Sequence, residues 1–374
     1  MTLCAKIAIL LEVPNFFNTS IKRTIWSNIS SIFNNSSDDK CGPKLECSSK
    51  IQTKGMCMPI YGLGTWQLHP CQVESILRFA LDVGIRHIDT AHCYGNEEEI
   101  GNTLSTLFSC GKYERDELFI SSKLPFYGMC PDLVNHYVCG SLQSLKLDYF
   151  DLYMIHFPVG VIEECGEYCP DPHTNHIAIW KHYPTNSWLT AQALEDEVHK
   201  GRIKSLGLSN FNLRQLINIQ GCALIPPAAL QMELHAYCQQ NELREYCALQ
   251  GIGVSAYGPL GSPGLESYIN EHQLSSNNVP SPLQDYVVQK IAYHHHKTPA
   301  QILLRFLLQT GAAVVTKSSK PDRVYRNFCI FDFELTASEM RRLCRLDKGE
   351  KGRMFSKNVW IGTENHIEYP FPPC

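Results

Sequence analysis

Leu118-Phe-Ile-Ser-Ser-Lys123, the amphipathic stretch 134–145 and Asp151-Leu-Tyr-Met-Ile155 set a short apolar run, a longer run with helical spacing and a second short apolar run in succession. Short apolar runs without alternation suit strands covered on both faces, and a helix between two of them implies a parallel pair with a right-handed crossover. The alternation continues in both directions. A strand near Tyr61 and Arg86-His-Ile-Asp-Thr90 lie upstream. Ile203-Lys-Ser-Leu-Gly-Leu208, Leu230-Gln-Met-Glu233, Gly253-Val-Ser-Ala256 and Ala313-Val-Val-Thr316 lie downstream. Helical stretches fall between them at 73–83, 189–200, 241–250 and 298–308, with Gly84, Gly201 and Gly251 where helix C-caps belong. Eight strand–helix units over roughly 300 residues fit an α/β (β/α)8 TIM barrel better than an open doubly wound sheet.

The bulk numbers narrow the function classes. The chain has 374 residues, 44% hydrophobic and 19% charged, as expected of a single large domain with a buried core. A net charge of −4 implies no basic face, so nucleic acid is not expected as a partner. No apolar run approaches the roughly 18 residues that span a bilayer, so no membrane association is expected. The apolar stretch from Ala5 to Val13 is broken by Lys6 and Glu12 and is followed by no evident cleavage site. Seventeen scattered cysteines suit free thiols in a reducing, cytoplasmic setting better than a disulfide framework. The sequons at Asn18, Asn28, Asn34 and Asn35 then read as chance in an Asn/Ser-rich stretch. Residues 1–54 read as a low-complexity, disordered extension, and 55–374 as the barrel with its C-terminal tail.

In such a barrel, chemistry belongs at the C-terminal ends of the strands. Asp89, Lys123 and His156 fall there, with Tyr94 just beyond the second strand. Each has an ordinary structural explanation alone. Together they suit carbonyl reduction: a phenol can protonate the developing alkoxide, a neighbouring ammonium should favour the phenolate and lower the phenol's pKa, and a carboxylate can hold that ammonium. A histidine beside the phenol can orient the carbonyl oxygen.

Gly62-Leu-Gly-Thr-Trp66, Ile88-Asp-Thr-Ala-His-Cys-Tyr-Gly-Asn-Glu97, Leu118-Phe-Ile-Ser-Ser-Lys123 and Ser144-Leu-Lys-Leu-Asp-Tyr-Phe-Asp-Leu-Tyr-Met-Ile-His-Phe-Pro158 resemble the signature blocks of the aldo-keto reductases. The resemblance covers about residues 55–349, with a loose further match at Tyr369-Pro-Phe371. It implies that Tyr94 is the general acid, that Lys123 and Asp89 tune it, and that His156 positions the substrate carbonyl. Relatives that reduce a conjugated C=C bond carry glutamate at the histidine position, so His156 favours carbonyl reduction. NADPH is the implied cofactor, and the absence of a Gly-x-Gly-x-x-Gly turn agrees with a family that binds its dinucleotide without a Rossmann fold.

The same resemblance assigns Ser209, Asn210 and Gln231 to the nicotinamide carboxamide and Tyr257 to the ring face. Gly64, Thr65, Asp89, Pro259, Leu260 and Ser262 join the cofactor site. Lys317, Ser318, Arg323 and Asn327 go to the adenosine phosphate, where an arginine clamp favours a 2′-phosphate. Trp66, Tyr94, His156 and Phe157 would face a small-molecule carbonyl substrate, in a protein expected to act as a monomer. Gly258 and Arg326 depart from the family pattern, where many relatives have serine and an acidic residue.

Several features stand apart. Cys165, Cys169, His173 and His176 could satisfy a tetrahedral zinc ion, but their spacing fits no common finger, and no metal is expected. The run His294-His295-His296 reads as solvated histidines at a helix end. Cys93 adjoins Tyr94 with nothing in the sequence to lower its pKa. Two other functions remain open at this point: a non-catalytic NADPH-binding barrel acting as a regulatory or structural subunit, and an aldolase or isomerase using Lys123 as a Schiff base.

Overall fold

The computed structural model describes residues 44–160, 163–164, 167–168, 187–271, 279–356, 359–360 and 363–372. An antiparallel hairpin of β1 (Lys50–Thr53) and β2 (Met56–Pro59) comes first. β3 (Tyr61–Gly64), β4 (His87–Asp89), β5 (Phe119–Leu124) and β6 (Leu152–Ile155) follow. A two-stranded insertion, β7 (Glu163–Glu164) and β8 (Glu167–Tyr168), precedes β9 (Leu206–Ser209), β10 (Ala229–Glu233), β11 (Gly253–Tyr257) and β12 (Ala313–Thr316). β3, β4, β5, β6, β9, β10, β11 and β12 pair in that order, all parallel, and β12 closes onto β3 through Val314↔Tyr61. The expected (β/α)8 barrel is the fold. Its strands are buried on both faces almost throughout, which is why their sequences run apolar without alternation.

Helices cover the outside. α1 (Pro70–Asp82), α2 (Glu97–Ser109), α3 (Pro131–Leu145) and α4 (Ser187–His199) serve the first half. α5 (Leu213–Cys222), α6 (Asn241–Gln250), α7 (Leu265–Glu271), α8 (Tyr286–His295), α9 (Pro299–Gln309), α10 (Pro321–Phe328) and α11 (Ala337–Cys344) serve the second. α1 and α3 begin three residues before their apolar periodicity does, because Pro70 and Pro131 occupy the first helical position, where a missing N–H costs nothing. Gly84, Gly201 and Gly251 all take positive φ, and Gly251 is itself the C-cap of α6.

The hairpin lies against the N-terminal ends of the strands. A Cβ on Gly253, at the start of β11, would meet Ile51 at 2.9 Å and Met56 at 3.1 Å, and Ser205 Oγ donates to the Gly55 carbonyl at 2.7 Å. Met56 and Met58 pack there with Phe119, Ala229 and Ala313 as an apolar plug. Part of the stretch read as extension therefore folds: Lys50–Thr53 contributes a strand, paired residue for residue with β2.

Candidate active site

Asp89 ends β4 and Lys123 is the penultimate residue of β5, one strand over. The Lys123 ammonium donates to Asp89 Oδ1 at 2.7 Å and to the Thr90 carbonyl at 2.8 Å. Asp89 Oδ2 accepts from Ser121 Oγ at 2.8 Å and from Gln231 Nε2 at 2.9 Å. This satisfies a buried ion pair that would otherwise be costly. Tyr94 ends a single 3-10 turn, released by Gly95 at φ 66°, and its ring centroid lies 5.0 Å from the Lys123 ammonium. His156 follows β6 directly, its ring 5.7 Å from that of Tyr94 and nearly perpendicular to it. The four residues expected to act together do meet at one end of the barrel.

Their electrostatics differ from expectation in one respect. Burial first, then the Asp89 charge, pushes the Tyr94 phenol well above its ordinary value. Lys123 does not lower it, because its ammonium faces Asp89 and a carbonyl rather than the phenol oxygen. Tyr94 is a firmly protonated donor. Burial, then Lys123, holds the His156 imidazole well below the usual histidine range, so it is neutral. Lys123 has no solvent exposure and is absent from the lining of the cleft, an enclosure unsuited to a Schiff base.

A cleft of about 690 Å³ runs along this end of the barrel. Asp89, Tyr94, His156 and Trp66 line it. Ser209, Asn210, Gln231 and Tyr257, all at or near the ends of β9, β10 and β11, line it next, as do Gly64 and Thr65. Asn210 sits at φ 65° and gives its amide N–H to the His156 carbonyl (2.9 Å) and to Ser209 Oγ (3.1 Å), while its own carbonyl accepts from the Tyr257 hydroxyl at 2.6 Å. Pro259, Leu260 and Ser262, after β11, also line it, as do Lys317, Ser318, Arg323 and Asn327, after β12. Arg326 joins them, held by Asp322 at 3.0 Å.

Gly258 takes φ 60°, and a Cβ there would meet Ser262 Oγ at 2.8 Å, which accounts for a glycine at that departure from the family pattern. Phe157 does not line the cleft. It is buried and stacks at 4.1 Å behind Trp360, and Trp360 is the residue that faces inward. Phe126, Tyr268, Phe355 and Val359 complete an aromatic and aliphatic wall that the sequence did not reveal. Phe355, Val359 and Trp360 come from the tail, beyond the last periodic element. Glu233, fully buried at the end of β10, fixes that tail by accepting from the Met354 and Phe355 amides at 2.6 and 3.0 Å.

The zinc-like residues Cys165, Cys169, His173 and His176 lie outside the described residues. Among the described residues, no cluster of His, Cys, Asp or Glu could hold a metal ion, the cysteines are free thiols, and no helix is long and apolar enough to cross a membrane. His295 is not simply solvated: its Nε2 lies 3.0 Å from Glu339.

Residues 61–348 match the model of the aldo/keto reductase family. Aldo-keto reductase family 1 member A1 of Rattus norvegicus is 40% identical over 305 residues, covering 81% of this chain and 90% of that protein. Its Cricetulus griseus counterpart is 41% identical over 295 residues, 79% of this chain and 88% of the relative. The solved aldose reductase from Schistosoma japonicum superposes with a TM-score of 0.76 at 35% identity, covering 87% of this chain and 99% of that one. A barrel closed by eight parallel strands, a charged and aromatic group at their C-terminal ends and this extent of similarity lead to one conclusion: the chain belongs to the aldo/keto reductase family of oxidoreductases.

Proposed function

We propose that the protein is an NADPH-dependent reductase that converts aldehydes or ketones to alcohols, with Tyr94 as the general acid. One observation carries this reading. A protonated phenol and a neutral imidazole stand together in a cleft that is also lined by uncharged hydrogen-bonding groups and by cations. The donor set suits the cofactor. Ser209, Asn210 and Gln231 offer amide and hydroxyl groups for a carboxamide, and Lys317, Arg323 and Arg326 offer fixed positive charge for a 2′-phosphate. NADPH supplies the hydride when bound.

The side chains do the rest. Tyr94 gives its proton to the carbonyl oxygen as that oxygen gains charge, and His156 orients the oxygen by a hydrogen bond. Lys123, paired with Asp89, packs its ammonium 5.0 Å from the Tyr94 ring centroid and holds the buried wall against which the phenol is placed. Trp66, Phe126 and Trp360 keep water from the reacting carbon.

The test is NADPH oxidation with an aromatic aldehyde. Tyr94→Phe should lower kcat/KM about 10²- to 10⁴-fold, the range for removal of a general acid, with the NADPH Kd from quenching of protein fluorescence unchanged. Retained turnover in that variant would remove Tyr94 from the mechanism, and a wild-type protein that binds NADPH without reducing any carbonyl would leave a binding-only role.

A further inference from the structure

Cys93 Sγ lies 3.4 Å from His156 Nδ1, and both residues line the cleft. Among the described residues it is the one hydrogen-bonding partner of that ring. The ring's other neighbours are aromatic: Tyr94 at 5.7 Å, Phe126 at 6.3 Å and Trp360 at 6.1 Å between centroids. From this geometry we propose that Cys93 is a positioning residue for the carbonyl-binding histidine: its thiol donates to His156 Nδ1, which keeps the ring proton on Nε2 and leaves that nitrogen a donor toward the substrate oxygen. The inference deepens the reductase reading and rests on it.

The direction of the bond follows from the two atoms. A neutral imidazole has one N–H and one lone pair, and the bond made at one nitrogen decides the role of the other. Thiol sulfur is a weak acceptor, whereas an imidazole lone pair is a good one, so S–H···N is the favoured arrangement. Burial pushes the Cys93 thiol up to about 12, so it holds the proton it must donate. A carbonyl oxygen accepts and cannot donate. It therefore needs N–H from His156 as well as O–H from Tyr94, and the opposite tautomer would present it with a lone pair. An apolar side chain at position 93 would leave both tautomers available.

The experiment compares wild type, Cys93→Val and Cys93→Ser by ¹⁵N NMR of the histidine-labelled, cofactor-free protein at pH 7.5, together with steady-state kinetics. Wild type and the serine variant should show His156 protonated at Nε2 alone. The valine variant, which has no donor at this position, should show a mixture. Its kcat should fall about five-fold, the effect of one neutral hydrogen bond, with the KM for NADPH unchanged. A wild-type ring protonated at Nδ1, or a valine variant with the wild-type tautomer and kcat, overturns the proposal. A serine variant that behaves as valine does assigns the effect to sulfur's size and overturns it too. The NMR signal needs no turnover, so its outcome is separate from that of Tyr94→Phe, which tests the reductase reading itself.

Discussion

Lys123 has no exposure to solvent and two short bonds, to Asp89 and to the Thr90 carbonyl. Removing one partner of such a pair leaves a charge that nothing else neutralises. Lys123→Met should therefore destabilise the fold by about 3–5 kcal/mol, read as a lowered urea midpoint, besides abolishing reduction. Tyr94 and His156 predict a pH profile. A phenol held well above its ordinary value keeps its proton, and an imidazole held well below its ordinary value stays neutral, across the whole range between them. kcat/KM for reduction should be flat from about pH 6 to 9. A bell centred near 7 would mean that one of these groups titrates where the structure says it does not.

At the scale of elements, the loop after β11 and the tail after α11 both shape the cleft without belonging to the barrel ring. Gly258→Ala would force a side chain into φ 60° and against Ser262, at a cost of about 1–3 kcal/mol; thermal unfolding should show this, with weaker NADPH binding beside it. Glu233→Gln takes away the charge that holds the Met354 and Phe355 amides and sits 2.9 Å from His235. We expect a rise in KM for bulky aromatic aldehydes with little change in NADPH affinity, checked over a series of aldehydes of increasing size.

These elements also mark how far the sequence could be read. The eight strands announce themselves because burial on both faces leaves no polar alternation, and Asp89, Tyr94, Lys123 and His156 lie on or just after them. Phe355 and Trp360 gave no such signal. They stand in an aperiodic tail, and their place in the wall depends on a carboxylate that is 122 residues from Phe355 in the chain. The place of Phe157 is illegible for the same reason, since nothing in its own neighbourhood foretells that Trp360 covers it. The upward direction of the phenol's shift is not legible either, because the chain order of Lys123 and Tyr94 does not say which atom the ammonium faces.

The whole molecule adds an acid sensitivity of its own. His87, buried in the barrel wall with its Nε2 3.0 Å from Ser121 Oγ, is brought down by burial to about 4. Its folded pKa lies below the unfolded value near 6.5, so the unfolded chain binds a proton that the folded one refuses. Stability attributable to this group is therefore complete above about pH 6.5 and declines as pH falls toward 4, amounting to about 2 kcal/mol by pH 5. Urea midpoints of wild type and His87→Gln at pH 7.5 and 5.0 check the sign: the wild-type midpoint should drop more than the variant's.

Met56 and Met58 close the floor of the barrel, and the described opening to Tyr94 is the cleft above it. On the reductase reading, water that recharges the phenol through this cleft shares the path of the departing alcohol. Reloading through that cleft competes with occupancy, so slow departure of the alcohol would also delay the next proton.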